Sequence, residues 1–217
     1  SGNDAAVALA EAVSGAEDAF VVLMNREAQR MGMKNTRFGN PHGLPDAENY
    51  STARDLALLA EHIIADYPEF YKIDSVKYFT YNNIKQPNRN RLLWSDPSVD
   101  GMKTGHTNAS GYSMIASAKR PNGTGQRRLL SVLSGAASDQ LRAQESQKLL
   151  NWGFQNFDSV KLYSKGQAIA TPQVWKGAQN QVKIGFNRDV LVTLPKGSAD
   201  KLKPVLQRND PLVAPIN

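Results

Sequence analysis

The sequence predicts an α+β protein in which an antiparallel sheet is combined with helices and is followed by a small all-β domain. Three observations lead to this fold class. Apolar residues recur at helical spacing early in the chain, two long β-type runs flank the turn at residues 121–123, and helical signal disappears after residue 157. We therefore predict two domains, residues 1–157 and residues 158–217.

The first half of the chain carries three predicted helices. Asn3-Asp4 would cap an alanine-rich, buried helix over residues 4–13, and a second helix would span residues 18–30. The Thr-Ala-Arg-Asp sequence of residues 52–55 has the pattern of a capping box, which would start a third helix that ends at Pro68. Helices therefore precede the strands of the first domain.

A longer helix over residues 138–157 is predicted to close the first domain. Its apolar residues recur at helical spacing, so that they would share one face. They are Leu141, Leu149, Leu150 and Trp152.

Strands are predicted between the third helix and this closing helix. Two short ones, residues 77–81 and 92–94, would flank the polar turn Asn82-Asn83. Two longer ones would form a hairpin across the Pro-Asn-Gly turn, and a motif-bearing strand before them would complete one antiparallel sheet. The three strands of this sheet are residues 103–107, 111–119 and 128–133.

The all-β domain is predicted from short β-type runs that alternate with turns. A domain of about sixty residues is marginal when it folds alone. The runs are residues 160–163, 174–175, 182–184, 190–194 and 205–206.

Composition excludes several classes of function. The 217 residues contain no cysteine, which excludes disulfides, thiolate catalysis and cysteine metal sites, and three scattered histidines predict no metal site. No apolar run is long enough to span a bilayer. The net charge of +6 favours anionic surroundings, but no basic block indicates nucleic-acid binding. We predict no cofactor.

The segment from Val99 to Thr107 carries the densest chemistry. In an extended segment Lys103 and Gly105 would lie on one face, and Thr104 and His106 on the other. Glycine within a strand often marks the close approach of another backbone, and a neighbouring lysine can hold an anion. The pattern is therefore typical of a peptide site, or of a loop that ends a strand with a solvated lysine.

Ser-x-Asn at the start of the chain, followed by Lys-Thr-Gly, matches two of the three elements of the penicillin-binding protein set. With further segments, the chain resembles the low-molecular-mass penicillin-binding proteins that are D-alanyl-D-alanine carboxypeptidases, over essentially its whole length. The resemblance implies a penicillin-binding, β-lactamase-like transpeptidase domain and that family's C-terminal domain. The matching segments are Ser1-Gly2-Asn3-Asp4, His42-Gly43-Leu44, residues 50–55, Asn88-Arg89-Asn90, Leu93-Trp94 and residues 99–107.

The resemblance also implies roles for individual residues. Ser1 would relay a proton to the leaving amine, Asn3 would hydrogen-bond the substrate amide, and Lys103 would supply positive charge for proton relay and anion binding. Thr104 and Thr107 would bind the substrate carboxylate. The backbone of Gly105 and His106 would pair with the extended substrate, Arg142 would hold its terminal carboxylate, and Arg89 would orient this edge of the site.

The activity implied by the resemblance is that of a serine carboxypeptidase. It would act in the periplasm on peptidoglycan stem peptides that end in D-Ala-D-Ala, and β-lactam antibiotics would acylate it. A C-terminal anchor, absent from this chain, would associate it with the inner membrane. A non-catalytic peptidoglycan-binding or scaffolding protein of the same fold is the alternative, and a β-lactamase is a weaker third reading.

The family's nucleophile lies on a Ser-x-x-Lys segment that precedes Ser-x-Asn. Because the chain starts at Ser1, we expect an interior piece of a longer protein that is inactive by itself. Ser198 and Lys201 form one Ser-x-x-Lys, but it falls in the β-rich tail, where we expect no catalysis.

Overall fold

The fold divides into two compact units. The first comprises residues 1–120 and 128–152, and the second comprises residues 121–127 and 153–217. The placement of a domain boundary near residue 158 stays a prediction. The computed structural model describes residues 2–123, 125–203, 205–208 and 211–216.

Two helices, α1 (Asn3–Ser14) and α2 (Glu17–Arg30), open the first unit and pack against each other. The prediction that α1 is buried was wrong, because Ala10 is the one buried residue of this helix and Leu9 and Val13 are exposed. The apolar residues of α1 are more numerous than its contact with α2 can cover.

The predicted cap of α1 was also wrong. Gly2 occupies the N-cap position with an extended backbone, and no side chain accepts a hydrogen bond there. At the other end, Gly15 adopts the left-handed conformation that commonly ends helices, as the sequence predicts.

Helix α3 (Ala53–Asp66) begins as predicted, but only half of the capping box forms. The Thr52 side chain accepts a hydrogen bond from the Asp55 backbone N–H at 3.1 Å. The Asp55 side chain makes no hydrogen bond to the Thr52 backbone N–H, the bond that would complete the box. Its buried carboxylate accepts hydrogen bonds from the Asn35 backbone N–H and the Thr36 hydroxyl, both at 2.7 Å, and fastens the preceding loop to α3.

A short helix, α4 (Pro68–Tyr71), and a 3-10 turn (Lys72–Ser75) lead into a two-stranded ribbon. The ribbon pairs β1 (Tyr78–Tyr81) with β2 (Ile84–Pro87). Asn82 and Asn83 between them have φ values of 48° and 60°, which asparagine tolerates in tight hairpin turns.

The strand predicted at residues 92–94 was wrong, because Leu92–Ser95 forms a helical turn, α5. Asn90 explains the difference. Its buried side chain accepts a hydrogen bond from the Leu92 N–H at 3.1 Å and donates one to the Gly101 carbonyl at 2.9 Å. These bonds turn the chain just before the apolar residues that suggested a strand.

The predicted three-stranded sheet is confirmed, with the order β3-β4-β5. Its strands are β3 (Val99–Thr107), β4 (Gly111–Asn122) and β5 (Gly125–Ala136). β3 runs antiparallel to β4, and Lys103 lies opposite Ile115. The two-residue connection between β4 and β5 requires an antiparallel hairpin. Among the described strands, β3 has one neighbour and forms an edge of the sheet.

A small apolar cluster joins α3, α4 and this sheet. Ala60, Tyr71 and Met102 are its buried members. Side chains at Ile63, Ile64, Ile115 and Leu130 pack against them. The cluster includes Met102 of β3 and holds that part of the strand in place.

Helix α6 (Asp139–Asn156) forms as predicted, but its buried face differs. Leu141, Leu149 and Trp152 are exposed, so the prediction of an apolar face was wrong for three of its four members. The residues that α6 buries are Arg142, Ala143, Ser146 and Leu150.

The second unit consists of short strands, as predicted for the tail. β6 (Phe157–Tyr163) pairs antiparallel with β10 (Val190–Pro195). Residues 205–206, predicted as a strand, have no regular structure. Smaller pairs join β7 (Ala168–Ala170) to β9 (Ile184–Gly185) and β8 (Val174–Trp175) to β11 (Leu212–Val213).

Candidate active site

The motif strand β3 has two halves that differ in burial. Val99, Gly101 and Met102 are buried, whereas Lys103, Gly105 and His106 are exposed. We call residues 99–102 the anchored half and residues 103–107 the open half. The change falls directly before the lysine of Lys-Thr-Gly, so the strand is fixed at its start and accessible where the motif lies.

A charged cluster fastens the anchored half to its neighbours. Asp100 receives two hydrogen bonds of 2.7 Å from Arg128 on β5 and one of 2.6 Å from the Tyr71 hydroxyl. Arg128 also donates to Ser117 on β4. Burial alone would raise the pKa of Asp100, but the hydrogen bonds from Arg128 and Tyr71 outweigh it and lower the pKa. Burial raises the pKa of Tyr71, which keeps its hydroxyl protonated as a donor.

Lys103 begins the open half and lies among charges from three other segments. Its ammonium donates to the Thr104 carbonyl. Although the residue as a whole is exposed, burial of the ammonium lowers its pKa, and the positive charges of Arg89 and Arg142 lower it further. Asp74 in the 3-10 turn acts in the opposite direction. A lysine with this environment gives up a proton more readily than a surface lysine.

Asp74 is itself perturbed by this position. The 3-10 turn that carries it packs against β3, and burial raises the pKa of its carboxyl to about 6 against the opposing pull of Lys103. Its ionisation therefore falls close to neutral pH.

Arg142 on α6 contacts the open half at Gly105. Its side chain is 5% exposed, and one guanidinium nitrogen donates to the Gly105 carbonyl at 3.0 Å. The guanidinium also lies 5.4 Å from the centre of the Tyr112 ring, which contacts the His106 ring at a centroid distance of 4.0 Å. A second nitrogen forms an ion pair with Asp139. The open half is thus lined by cations and supported by an aromatic pair.

Comparison with protein-family models gives two matches. The model described as D-alanyl-D-alanine carboxypeptidase matches residues 1–138, and the model of the penicillin-binding protein 5 C-terminal domain matches residues 157–217. The chain belongs to the D-alanyl-D-alanine carboxypeptidase family. The predicted family is confirmed.

Curated relatives agree with the family match. D-alanyl-D-alanine carboxypeptidase DacA of Haemophilus influenzae is 50% identical over 94% of this chain and 51% of its own length. DacC of Escherichia coli is 45% identical over 100% of this chain and 54% of its own. The chain spans about half the length of the curated relatives it matches.

Solved structures agree in fold. Penicillin-binding protein 5 from Haemophilus influenzae, 48% identical, superposes with a TM-score of 0.91 over 99% of this chain and 62% of that chain. Penicillin-binding protein D2 from Listeria monocytogenes, solved with cefotaxime bound, is 34% identical with a TM-score of 0.63 over 70% of this chain and 61% of that one. The predicted penicillin-binding, β-lactamase-like fold is confirmed.

Several of the predicted site residues lie close together in the structure. Lys103, Gly105 and Arg142 meet at the open half, and exposed Arg89 is close enough to lower the Lys103 pKa. The Thr107 hydroxyl accepts from the Ser110 N–H at 3.0 Å and lies 2.5 Å from the Ser110 hydroxyl, so it closes the β3-β4 turn. Thr104 is half-buried.

Asn3, a further predicted site residue, is not joined to this group. Asn3 begins α1 and makes no hydrogen bond to the motif within the described part of the chain. Ser1 lies outside the described residues. Ser198 precedes a 3-10 turn (Ala199–Lys201), and the turn closes through the Lys201 N–H and Ser198 carbonyl at 3.1 Å rather than through their side chains.

Sequence reasoning missed Asp74, Tyr112 and Asp139. Tyr112 could have been found, because a hairpin closed at residues 107–111 places it opposite His106. Asp139 stands three residues before Arg142, a spacing at which helical side chains meet. No sequence signal places Asp74 beside Lys103, since that contact depends on how the 3-10 turn packs against β3.

The described residues contain neither a candidate metal site nor a helix that could span a membrane. In residues 2–123, 125–203, 205–208 and 211–216, no group of three or more acidic, histidine or cysteine side chains could hold a metal ion. Over the same residues, no helix combines the length and the apolar character needed to cross a bilayer.

Proposed function

We propose that this protein is a serine-type D-alanyl-D-alanine carboxypeptidase that acts on peptidoglycan stem peptides ending in D-Ala-D-Ala and is acylated by β-lactams. The observation that carries the proposal is the open half of β3, an exposed sheet edge that begins at Lys103. An exposed edge offers unpaired backbone groups to an extended peptide, which can add to the sheet as a further strand.

The glycine of Lys-Thr-Gly supports a peptide at this edge. A Cβ built on Gly105 would meet only the Ser113 Cβ, at an ordinary distance of 3.8 Å. Packing within the described chain therefore does not demand glycine here, whereas a backbone that approaches the strand closely would. Gly105 and His106 would supply the backbone groups that pair with the substrate.

The charges of the site suit a substrate that ends in a carboxylate. Lys103, Arg89 and Arg142 approach the open half from three elements and outweigh Asp74 and Asp139. In this proposal Arg142 binds the terminal carboxylate with help from Thr104 and Thr107, and Arg89 orients the edge.

Lys103 would take part in proton transfer as well as anion binding. Its lowered pKa suits a group that passes a proton towards the leaving D-alanine. Ser1 would relay that proton, and Asn3 would hydrogen-bond the scissile amide. The proposal also includes two domains, at residues 1–157 and 158–217. It places the protein in the periplasm, associated with the inner membrane through a C-terminal anchor.

The test is acylation of the natural protein, with whatever segments flank these 217 residues. We expect covalent labelling by a fluorescent penicillin, mapped to one serine by mass spectrometry, and release of D-alanine from a diacyl-L-Lys-D-Ala-D-Ala peptide. Labelling without D-alanine release would favour a β-lactam-sensitive protein of another activity. Peptide binding without labelling would favour a non-catalytic peptidoglycan-binding protein.

A further inference from the structure

Asp139 is a carboxylate of this chain that already occupies the guanidinium of Arg142. One oxygen of Asp139 pairs with an Arg142 terminal nitrogen, and the other pairs with Nε of Arg91. The Arg142 side chain is 5% exposed, whereas those of Asp139 and Arg91 are 29% and 64% exposed. A buried cation is thus linked to a surface cation through one shared carboxylate.

The second bond of Arg142 limits what else it can bind. Its other terminal nitrogen donates to the Gly105 carbonyl at 3.0 Å, which fixes the guanidinium beside the open half. A bidentate pair with an incoming carboxylate needs two N–H groups on one edge of the guanidinium. Each terminal nitrogen already uses one of its two N–H groups, one for the motif strand and one for Asp139, so a ligand carboxylate has to compete with Asp139 for the guanidinium.

Arg91 is a second ion-pair partner for Asp139. Because its second oxygen is already paired with the exposed Arg91, Asp139 can leave Arg142 without becoming an unpaired charge. Asp139 also lies in the first turn of α6, where the helix dipole stabilises a carboxylate in either arrangement. The cost of moving Asp139 is therefore smaller than the cost of breaking an isolated buried pair.

We propose that Asp139 is the internal counter-ion of the carboxylate subsite, and that a ligand's terminal carboxylate binds Arg142 by displacing Asp139 towards Arg91. The proposal deepens the proposed function and rests on it, because it takes Arg142 as the group that receives the terminal carboxylate. Asp139 then determines specificity, since only a ligand that replaces its negative charge offsets the displacement.

The opposite role is a purely supporting one, in which Asp139 holds Arg142 in place for the ligand. The two roles predict opposite signs for Asp139→Asn. If Asp139 competes with the ligand, the neutral variant binds carboxylates more tightly. If Asp139 only supports Arg142, the variant binds them more weakly.

The experiment measures dissociation constants by NMR titration of the natural protein with N-acetyl-D-alanine and with its neutral amide. We expect Asp139→Asn to tighten binding of N-acetyl-D-alanine by about three- to tenfold and to leave the amide unchanged. Glu145→Gln is the matched control. Glu145 lies on the same helix and pairs with Lys148 at the same spacing, but this pair is exposed, and we expect no change with either probe.

A second variant tests the route of displacement. Arg91→Gln removes the partner that receives Asp139, so binding of N-acetyl-D-alanine should weaken by about two- to threefold in the native background. In the Asp139→Asn background the effect of Arg91→Gln should be smaller, because no displacement remains. Equal effects of Arg91→Gln in both backgrounds would show direct attraction by Arg91 and contradict the displacement.

Weaker carboxylate binding by a folded Asp139→Asn protein, or equal changes for acid and amide, would overturn the proposal. Thermal unfolding of each variant checks that it is folded. The titration does not depend on turnover. A protein that releases no D-alanine but shows the expected sign for Asp139→Asn would contradict the proposed function and leave the counter-ion role intact.

Discussion

The two halves of β3 belong to one strand but are built for different tasks. In the anchored half, Gly101 is demanded by the fold, because a Cβ there would lie 2.5 Å from the Tyr71 hydroxyl and 2.9 Å from its ring. In the open half, a Cβ on Gly105 would meet nothing closer than 3.8 Å. The same residue type therefore serves internal packing at one position and, in our proposal, ligand access four residues later.

The charged residues of the two halves also differ in their roles. Asp100 in the anchored half is satisfied by Arg128 and Tyr71, and its function is to hold three segments together. The pKa of Lys103 in the open half is lowered by burial of its ammonium and by the nearby cations Arg89 and Arg142. Stability and chemistry therefore depend on different residues of one strand, and mutations can affect them separately.

The largest effect is expected for Lys103→Ala in the natural protein. Removing a charged group that acts in an acyl-transfer transition state costs about 2.7–4 kcal/mol, so acylation by a fluorescent penicillin should slow by about 10²- to 10³-fold. The midpoint of urea unfolding should stay unchanged. Lys119→Ala on the neighbouring strand is the control. Unchanged acylation of the Lys103 variant would show that Lys103 takes no part in the reaction.

The glycine pair should separate stability from binding. Gly101→Ala forces a methyl group against Tyr71 and should lower the free energy of unfolding by about 1–3 kcal/mol. Gly105→Ala should change it by less than about 0.5 kcal/mol and should instead slow acylation, because in our proposal a ligand backbone approaches Gly105 closely. Denaturant titration and acylation kinetics on both variants check this, and a destabilised Gly105→Ala protein would contradict the division of β3.

Arg128→Gln should weaken the anchored half in a pH-dependent way. The folded pKa of Asp100 is lowered, so its contribution to stability is present above its unfolded pKa of about 4 and is lost as pH falls through the folded value. We expect the variant to lose about 1–3 kcal/mol at pH 7, a difference that shrinks below about pH 4. A loss that does not depend on pH would assign the effect of Arg128 to packing rather than to its ion pair.

Asp74→Asn should give the smallest change, and with the opposite sign. Burial raises the pKa of Asp74 to about 6, so the folded state is penalised as pH rises from about 4 to 6, and the penalty persists above that range. The variant should gain about 1 kcal/mol at pH 7.5 and nothing below about pH 4. Loss of the negative charge should also lower the Lys103 pKa and shift the pH profile of acylation to lower pH.

The sequence was sufficient where local patterns decide the structure. The β4-β5 hairpin follows from its β-type runs and turn, α3 from its cap, and the open half from Lys-Thr-Gly. The sequence was misleading where a distant partner decides. The Leu-Leu-Trp run looks like a strand, but Asn90 turns it into a helix through its bond to Gly101.

The candidate site shows the same limit. Lys103 and Gly105 were visible as a motif, and Arg142 was found through the family resemblance. Asp139 could have been inferred from its helical spacing, but its contact with Arg91 could not, because Arg91 precedes α5, far away along the chain. Asp74 reaches Lys103 only through packing of the 3-10 turn, and the exposed leucines of α6 show that apolar spacing alone does not identify a buried face.

The exposed edge of β3 could promote aggregation as well as bind a peptide. A sheet edge that can accept a peptide can also accept the same edge of a second molecule, which is how soluble proteins begin to aggregate. Lys103 is the middle residue of β3, so two copies that approach edge to edge bring like charges together. The lysine therefore also protects solubility, and we expect Lys103→Ala to scatter more light than Lys119→Ala at equal concentration.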